Sequence, residues 1–383
     1  MKVLALIPDF LEKPSGGLGE QMQNIIRELE DKVDYYICGY PEKNNIPNYN
    51  SVVAPIPHFG HAALTTIYGQ SIYFLKALEF KKDFDIIHAC DWSTFYAGIL
   101  ASWHFKKPLV CTVNLSLEQL NKANIFYCHD PNTVDGSHIN GLQLLFEQMG
   151  LYHANKIIHV SEYYANLYPD YKDKTIIIHN GLDLKKWKKQ NDSPFIRNKN
   201  KIKFCYIGRA SQMKGIETIL NSNIPDDIDF YFVVSDKNAE EPIFTNIKNK
   251  CNNKNIFHIQ GLYGQDKIDF LHEMDAVVMP SIHEPFGIVA LEALAAECIL
   301  ITTASGGIKE IVEDIDYIHI NNHNDLNNVY NKIKSLSNEE KNIIKQKGKN
   351  HVLKFDWEIQ SNKLYNIYKE VINMEYIPSI VDF

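Results

Sequence analysis

Glu284 and Glu292 stand eight residues apart in S-I-H-E-P-F-G-I-V-A-L-E, residues 281–292. Pro285 and Gly287 mark a turn around the first carboxylate. The apolar run from Ile288 to Ala296 predicts a helix carrying the second. A helix that opens there aims backbone N–H groups near Phe286, Gly287 and Ile288 into the turn, an arrangement suited to a diphosphate. A carboxylate in the second helical turn is placed to accept hydrogen bonds from two adjacent ribose hydroxyls. One ahead of the helix suits the hydroxyls of a transferred sugar. Two cations, Arg209 and Lys214, lie in G-R-A-S-Q-M-K-G, residues 208–215. Cations at such a turn neutralise a diphosphate as it leaves. On spacing alone, the same residues also fit a buried strand–turn–helix with solvated glutamates and surface cations.

These groups need strands and helices to hold them. Ala276 to Met279 predicts the strand before Glu284, and Phe204 to Ile207 the strand before Arg209. Further strands are predicted at Phe230–Val234, Asn255–Ile259, Ile299–Thr303 and Tyr317–Ile320. Alternation of strands with helical runs predicts a parallel sheet covered on both faces. The first half repeats the scheme at Lys2–Ile7, Val33–Cys38, Phe84–His88, Leu109–Val113, Lys156–Ser161 and Thr175–Ile178. A glycine-rich turn, Ser15 to Glu20, follows the first strand. There Gly16 and Gly17 allow close approach of backbone to a phosphate, although glycine is also the default turn residue. Helices are expected at Thr66–Phe80 and Gly141–Tyr152, with Ser161 an N-cap. Residues 40–60 and 115–138 read as loops, the second long enough to serve an acceptor. Residues 184–200 are polar and mark a domain boundary.

The chain has 383 residues, enough for about two domains. A formal net charge of -8 disfavours a general nucleic-acid or anionic-membrane surface. The seven cysteines form no C-x-x-C pair and read as reduced thiols of a cytoplasmic protein. The short apolar start does not read as a signal sequence, and no run of about 18 apolar residues predicts a membrane span. No metal-ligand spacing is visible.

E-P-F-G-x-x-x-x-E resembles the Glu-x7-Glu signature of retaining GT-B glycosyltransferases of family 4 and the related glycogen synthases. G-R-x-x-x-x-K-G, with Arg209 and Lys214, is similar to the family's diphosphate-binding segment. The glycine-rich turn resembles the family's G-G-L loop. Pro14 stands where the synthases usually have lysine, and Lys13 lies one residue earlier. H-A-C-D-W, with His88 and Asp91, resembles H-x-H-D-W, Cys90 replacing the second histidine. Asn114 replaces the histidine of T-x-H, and His129 in the following loop could supply an imidazole. Gly261, Leu262 and Tyr263 resemble the loop that holds the base. Ser305-Gly306-Gly307 with Glu310 resembles a G-G-x-x-E turn near phosphate or sugar.

The resemblance implies an α/β GT-B fold, two Rossmann-like domains facing across a cleft. An N-terminal acceptor-side domain would span 1–183 and a linker 184–200. A nucleotide-sugar-binding domain would span 201–355, and a C-terminal helix, 356–383, would cross back to the first domain. It implies retaining transfer of a hexose, glucose first, from a nucleoside-diphosphate sugar to an unknown hydroxyl acceptor. That acceptor could be a glycan, lipid-linked sugar, metabolite, protein or modified DNA. In this reading Arg209, Lys214 and Glu284 are catalytic, and Gly16, Gly17, His88, Asp91, Asn114, His129, Gly261 to Tyr263, Pro285 to Ile288 and Glu292 bind substrate. No metal or other cofactor is required. A GT-B epimerase, or a nucleotide-sugar-binding protein with little transfer activity, is the alternative.

Overall fold

The computed structural model describes residues 1–8, 17–39, 50–54, 62–117, 134–235 and 240–378. They divide into two compact units, Met1–Asn180 with Trp357–Phe383, and Gly181–Asp356.

The first unit runs β1 (Lys2–Ile7), α1 (Gly17–Leu29), β2 (Asp34–Gly39), β3 (Asn50–Val53), α2 (Ala62–Leu78), β4 (Ile86–Cys90), α3 (Trp92–Phe105), β5 (Leu109–Val113), α4 (Val134–His153), β6 (Lys156–His159), α5 (Glu162–Ala165) and β7 (Thr175–Ile177). Its strands form a parallel sheet in the order β3-β2-β1-β4-β5-β6-β7. Alternate residues of each strand serve opposite faces. Leu4, Leu6, Ile87, Ala89, Leu109 and Cys111 pack with Tyr73, Phe95 and Leu151. Val3, Ala5, Ile7, Ile86, Cys90 and Val110 pack with Met22, Ile25 and Leu29. Burial on both faces explains why these strands read as continuous apolar runs.

The second unit runs β8 (Ile202–Ile207), α6 (Glu217–Leu220), β9 (Ile228–Val233), α7 (Glu241–Lys250), β10 (Ile256–Ile259), α8 (Gly264–Leu271), β11 (Ala276–Met279), α9 (Ile288–Ala295), β12 (Ile299–Thr302), α10 (Ile308–Val312), β13 (Ile318–His319), α11 (His323–Ser335) and α12 (Asn338–His351). Its parallel order is β10-β9-β8-β11-β12-β13. Chain order reverses between β8 and β11, as it does between β1 and β4 in the first unit. Open α/β sheets bind ligands at the carboxyl ends of strands flanking such a reversal.

The last helix, α13 (Trp357–Val371), packs on α1 in the first unit and buries Leu364 and Tyr368 there. Ile367 is half-buried, whereas Ile359 is 46 % exposed. Residues 50–53, read as loop, form the edge strand β3 through main-chain pairing with β2. Their N-S-V-V carries too little apolar signal to mark a strand. Helix α4 begins at Val134, inside the expected loop. Ser161 caps α5, its hydroxyl accepting from the Tyr164 N–H at 3.3 Å. Residues 184–200 fold onto the second unit: the Gln190, Ser193 and Arg197 amides donate to Asp269, Glu273 and the Tyr231 hydroxyl. The segment looks like a linker in sequence because polar groups hold it. Among the described residues no helix is long and apolar enough to cross a membrane.

Candidate active site

The turns after β8, β11 and β12 interlock at the carboxyl end of the second sheet. After β8, the Met213 carbonyl accepts N–H groups from Ile282 and His283 at 2.9 and 3.2 Å. After β12, the Gly307 N–H donates to the Glu284 carbonyl at 2.9 Å. The Ser305 hydroxyl donates to the Ile282 carbonyl, and Thr303 to that of Ser281. A Cβ on Gly306 or Gly307 would stand 2.2 Å from the Glu284 or Pro285 carbonyl oxygen. Backbone therefore packs against backbone around Glu284.

This framework joins two of the sequence candidates directly. Lys214 Nζ lies 2.6 Å from Glu284 Oε2, which also accepts from Ser281 Oγ at 3.1 Å. Glu284 is only 7 % exposed, so the ammonium and hydroxyl replace lost hydration. Arg209 is exposed on the same turn. Its carbonyl accepts from the buried Tyr206 hydroxyl at 2.6 Å, which pins the main chain there. Phe286 is buried against Phe355 with ring centroids 5.7 Å apart. Pro285 and Ile288 are half-buried, and Gly287, with φ of +106°, leads into α9.

Glu292 lies in α9 and is 2 % exposed, with Oε1 2.5 Å from Lys267 Nζ of α8. Beyond β10, Leu262 is buried and Tyr263 is 60 % exposed. The Tyr263 ring folds back over Gly261, where an added Cβ would meet ring atoms at 3.2 Å.

In the first unit, Asp91 follows β4 with φ of +71° and accepts from the Trp92 N–H at 2.7 Å. Such a φ is costly for a residue with a side chain and is concentrated at functional positions. Burial raises its carboxyl to about 6, partly opposed by that hydrogen bond. Asn114 follows β5, and its buried Nδ2 has no hydrogen-bond partner among the described residues. Gly17 opens α1 and is exposed. Gly16, Lys13, Pro14 and His129 lie outside the described residues.

His88 must be removed from the substrate contacts. It sits in the middle of β4, not at its end, and is completely buried. Nδ1 lies 2.6 Å from the Tyr368 hydroxyl and Nε2 2.7 Å from Thr112 Oγ1. It ties the last helix to the sheet. Burial lowers its pKa to about 3 and that of His159 to about 4. In the unfolded chain both take a proton below about pH 6.5. Between those values the unfolded state binds more protons, so stability falls as pH falls through the window. The His88 contribution is of the order of a few kcal/mol. Urea midpoints should therefore drop between pH 7 and 4.5. His88→Asn should be weaker at pH 7 but lose less on acidification; equal losses would show that His88 does not set the slope.

Two family models cover the chain, glycosyltransferase family 4 over residues 15–186 and glycosyl transferases group 1 over 188–351. The chain belongs to the family 4 glycosyltransferases. Its fold is GT-B and its activity class is glycosyl transfer. An uncharacterized glycosyltransferase of Methanocaldococcus jannaschii is 25% identical, covering 97% of this chain and 99% of the relative. Alpha-maltose-1-phosphate synthase of Mycobacterium tuberculosis is also 25% identical, over 82% of each. Among solved structures, sucrose-phosphate synthase of Thermosynechococcus elongatus matches with a TM-score of 0.76 at 18% identity, covering 97% of this chain and 99% of that one. Anabaena HepE in complex with UDP-glucose matches with a TM-score of 0.72 at 16% identity, covering 97% and 100%.

For a glycosyltransferase of this family, the structure adds two groups absent from the sequence reading. Ser281 is close enough in sequence to Glu284 to have been suspected as its partner. Lys267, 25 residues before Glu292, carries no local signal. Among the described residues no cluster of His, Cys, Asp and Glu could hold a metal ion.

Proposed function

We propose that this glycosyltransferase moves a hexose from a nucleoside-diphosphate sugar to a hydroxyl acceptor with retention of anomeric configuration. The observation that carries the reading is the Lys214–Glu284 pair at the β8/β11 reversal, beside the opening of α9. Glu284 orients the sugar hydroxyls. Lys214 and Arg209 neutralise the diphosphate, with the amides at the start of α9. The bond from C1 to the phosphate oxygen breaks, and its electron pair leaves on that oxygen. The acceptor oxygen bonds C1 from the same face, and its proton passes to the departing phosphate. No separate protein base and no metal has a role in this scheme. Glu292 holds the ribose, and the Gly261–Tyr263 loop the base. Asp91 and Asn114, at strand ends in the first unit, are candidates for acceptor or sugar contacts.

Relatives named glycogen synthase and alpha-maltose-1-phosphate synthase make glucose the first sugar to try. The test is release of nucleoside diphosphate from UDP-, ADP- and GDP-sugars, with and without pooled hydroxyl acceptors. One donor should be turned over and accelerated by one pool, giving a product of unchanged anomeric configuration. An inverted product would overturn retention. Release without any acceptor dependence, or turnover to an epimer, would overturn transfer.

A further inference from the structure

Lys267 and Glu292 form a buried ion pair between α8 and α9, with side chains 16% and 3% exposed and a contact of 2.5 Å. Helix α9 reads I-V-A-L-E-A-L-A, and Leu291, Ala293 and Leu294 around the carboxylate are core residues. A charge in such a setting costs several kcal/mol unless it is paired. A buried ion pair is commonly no more stabilising than apolar side chains of the same volume. Stability of α9 therefore does not by itself account for a carboxylate and an ammonium at these positions. Their place in the fold does. Lys267 sits one turn into the helix that follows the Gly261–Tyr263 loop, and Glu292 sits in the helix that follows the Glu284 turn. The pair links the element assigned to the base with the element assigned to the diphosphate. The ribose lies between those two parts of any nucleotide.

We propose that Lys267 is a positioning residue for the nucleotide ribose, holding the Glu292 carboxylate in the plane that receives the adjacent 2′ and 3′ hydroxyls. The inference rests on the assignment of Glu292 to the ribose. Lysine contributes by fixing one carboxylate oxygen, so that hydroxyl recognition needs no reordering of Glu292 when nucleotide arrives.

Titration calorimetry with UDP, ADP and GDP and their 2′-deoxy counterparts tests it on the full chain. The wild-type protein should favour one ribonucleotide over its deoxy form by about tenfold or more, the scale of one hydrogen bond to a charged group. Lys267→Met should lose most of that preference, with little change in affinity for the deoxy form. Lys267→Arg, which keeps the cation, should restore it. Should the Met variant fail to fold, Lys267→Gln takes its place, with a loss of several-fold expected. Preference abolished in Glu292→Gln but intact in Lys267→Met and Lys267→Gln overturns the role of Lys267 and leaves the ribose assignment standing. A wild-type protein that binds a ribonucleotide and its deoxy form equally overturns the ribose assignment, and this inference with it.

Discussion

Lys214→Met is expected to lower kcat by about 10²–10³-fold, the usual scale for removing one preorganised electrostatic contact to a developing charge. Lys214 has two tasks that can be separated. Its ammonium is proposed to meet the leaving diphosphate, and it already compensates Glu284 at 2.6 Å. Removing it leaves Glu284 with the Ser281 hydroxyl in a nearly closed site. Breaking a buried pair from one side costs up to about 3–5 kcal/mol of stability. The fall in activity could then reflect a damaged fold rather than a lost cation. A double variant, Lys214→Met with Glu284→Gln, removes both charges and should recover most of the melting temperature while remaining inactive. Recovery of activity along with stability would show that Lys214 serves the fold alone. Arg209→Ala is the second probe, on an exposed side chain, with its melting temperature measured beside its turnover. Wild-type turnover in both Arg209→Ala and Lys214→Met would sink the diphosphate assignment.

Gly215→Ala is expected to destabilise the second unit by roughly 3 kcal/mol or more, placing it among the large single-residue effects. Gly215 has φ of +62°, and an added Cβ would stand 1.9 Å from the Pro280 carbonyl oxygen. That oxygen belongs to the backbone leading into Glu284, so no side-chain rotation relieves the clash. The turn after β8 and the turn after β11 would have to part, and the Met213 carbonyl would lose its N–H donors. Gly264→Ala supplies the control. It has φ of +55° but nothing within 4 Å of the added Cβ. It therefore bears only the cost of a left-handed backbone, about 1 kcal/mol. Urea denaturation of both variants separates the two terms. Equal losses would mean that conformation, not close packing of the two turns, makes Gly215 necessary. Donor affinity should fall in Gly215→Ala even at temperatures where it remains folded, because Lys214 and Glu284 are carried by the two turns forced apart.

Much of this protein is legible in the chain itself. Strands buried on both faces announce themselves as apolar runs, and Ala276–Met279 falls where its residues predict. The turns carrying Arg209, Lys214 and Glu284 are marked by glycine and proline, because backbone geometry there is a local property. Sequence alone therefore determined the α/β class, the two sheets and the family. Less local information failed in specific ways. Strand β3 is specified by its main-chain pairing with β2, which N-S-V-V does not advertise. His88 looked like a ligand because H-A-C-D-W resembles H-x-H-D-W, yet register places it between Ala5 and Val110 in mid-sheet. Its true partner, Tyr368, is 280 residues away. Lys267 and Glu292 likewise meet only because α8 and α9 pack side by side. Sequence spacing determines which side chains share one face of one element. Tertiary packing decides which faces meet, and so which charges are neutralised inside the fold and which are left to act on a substrate.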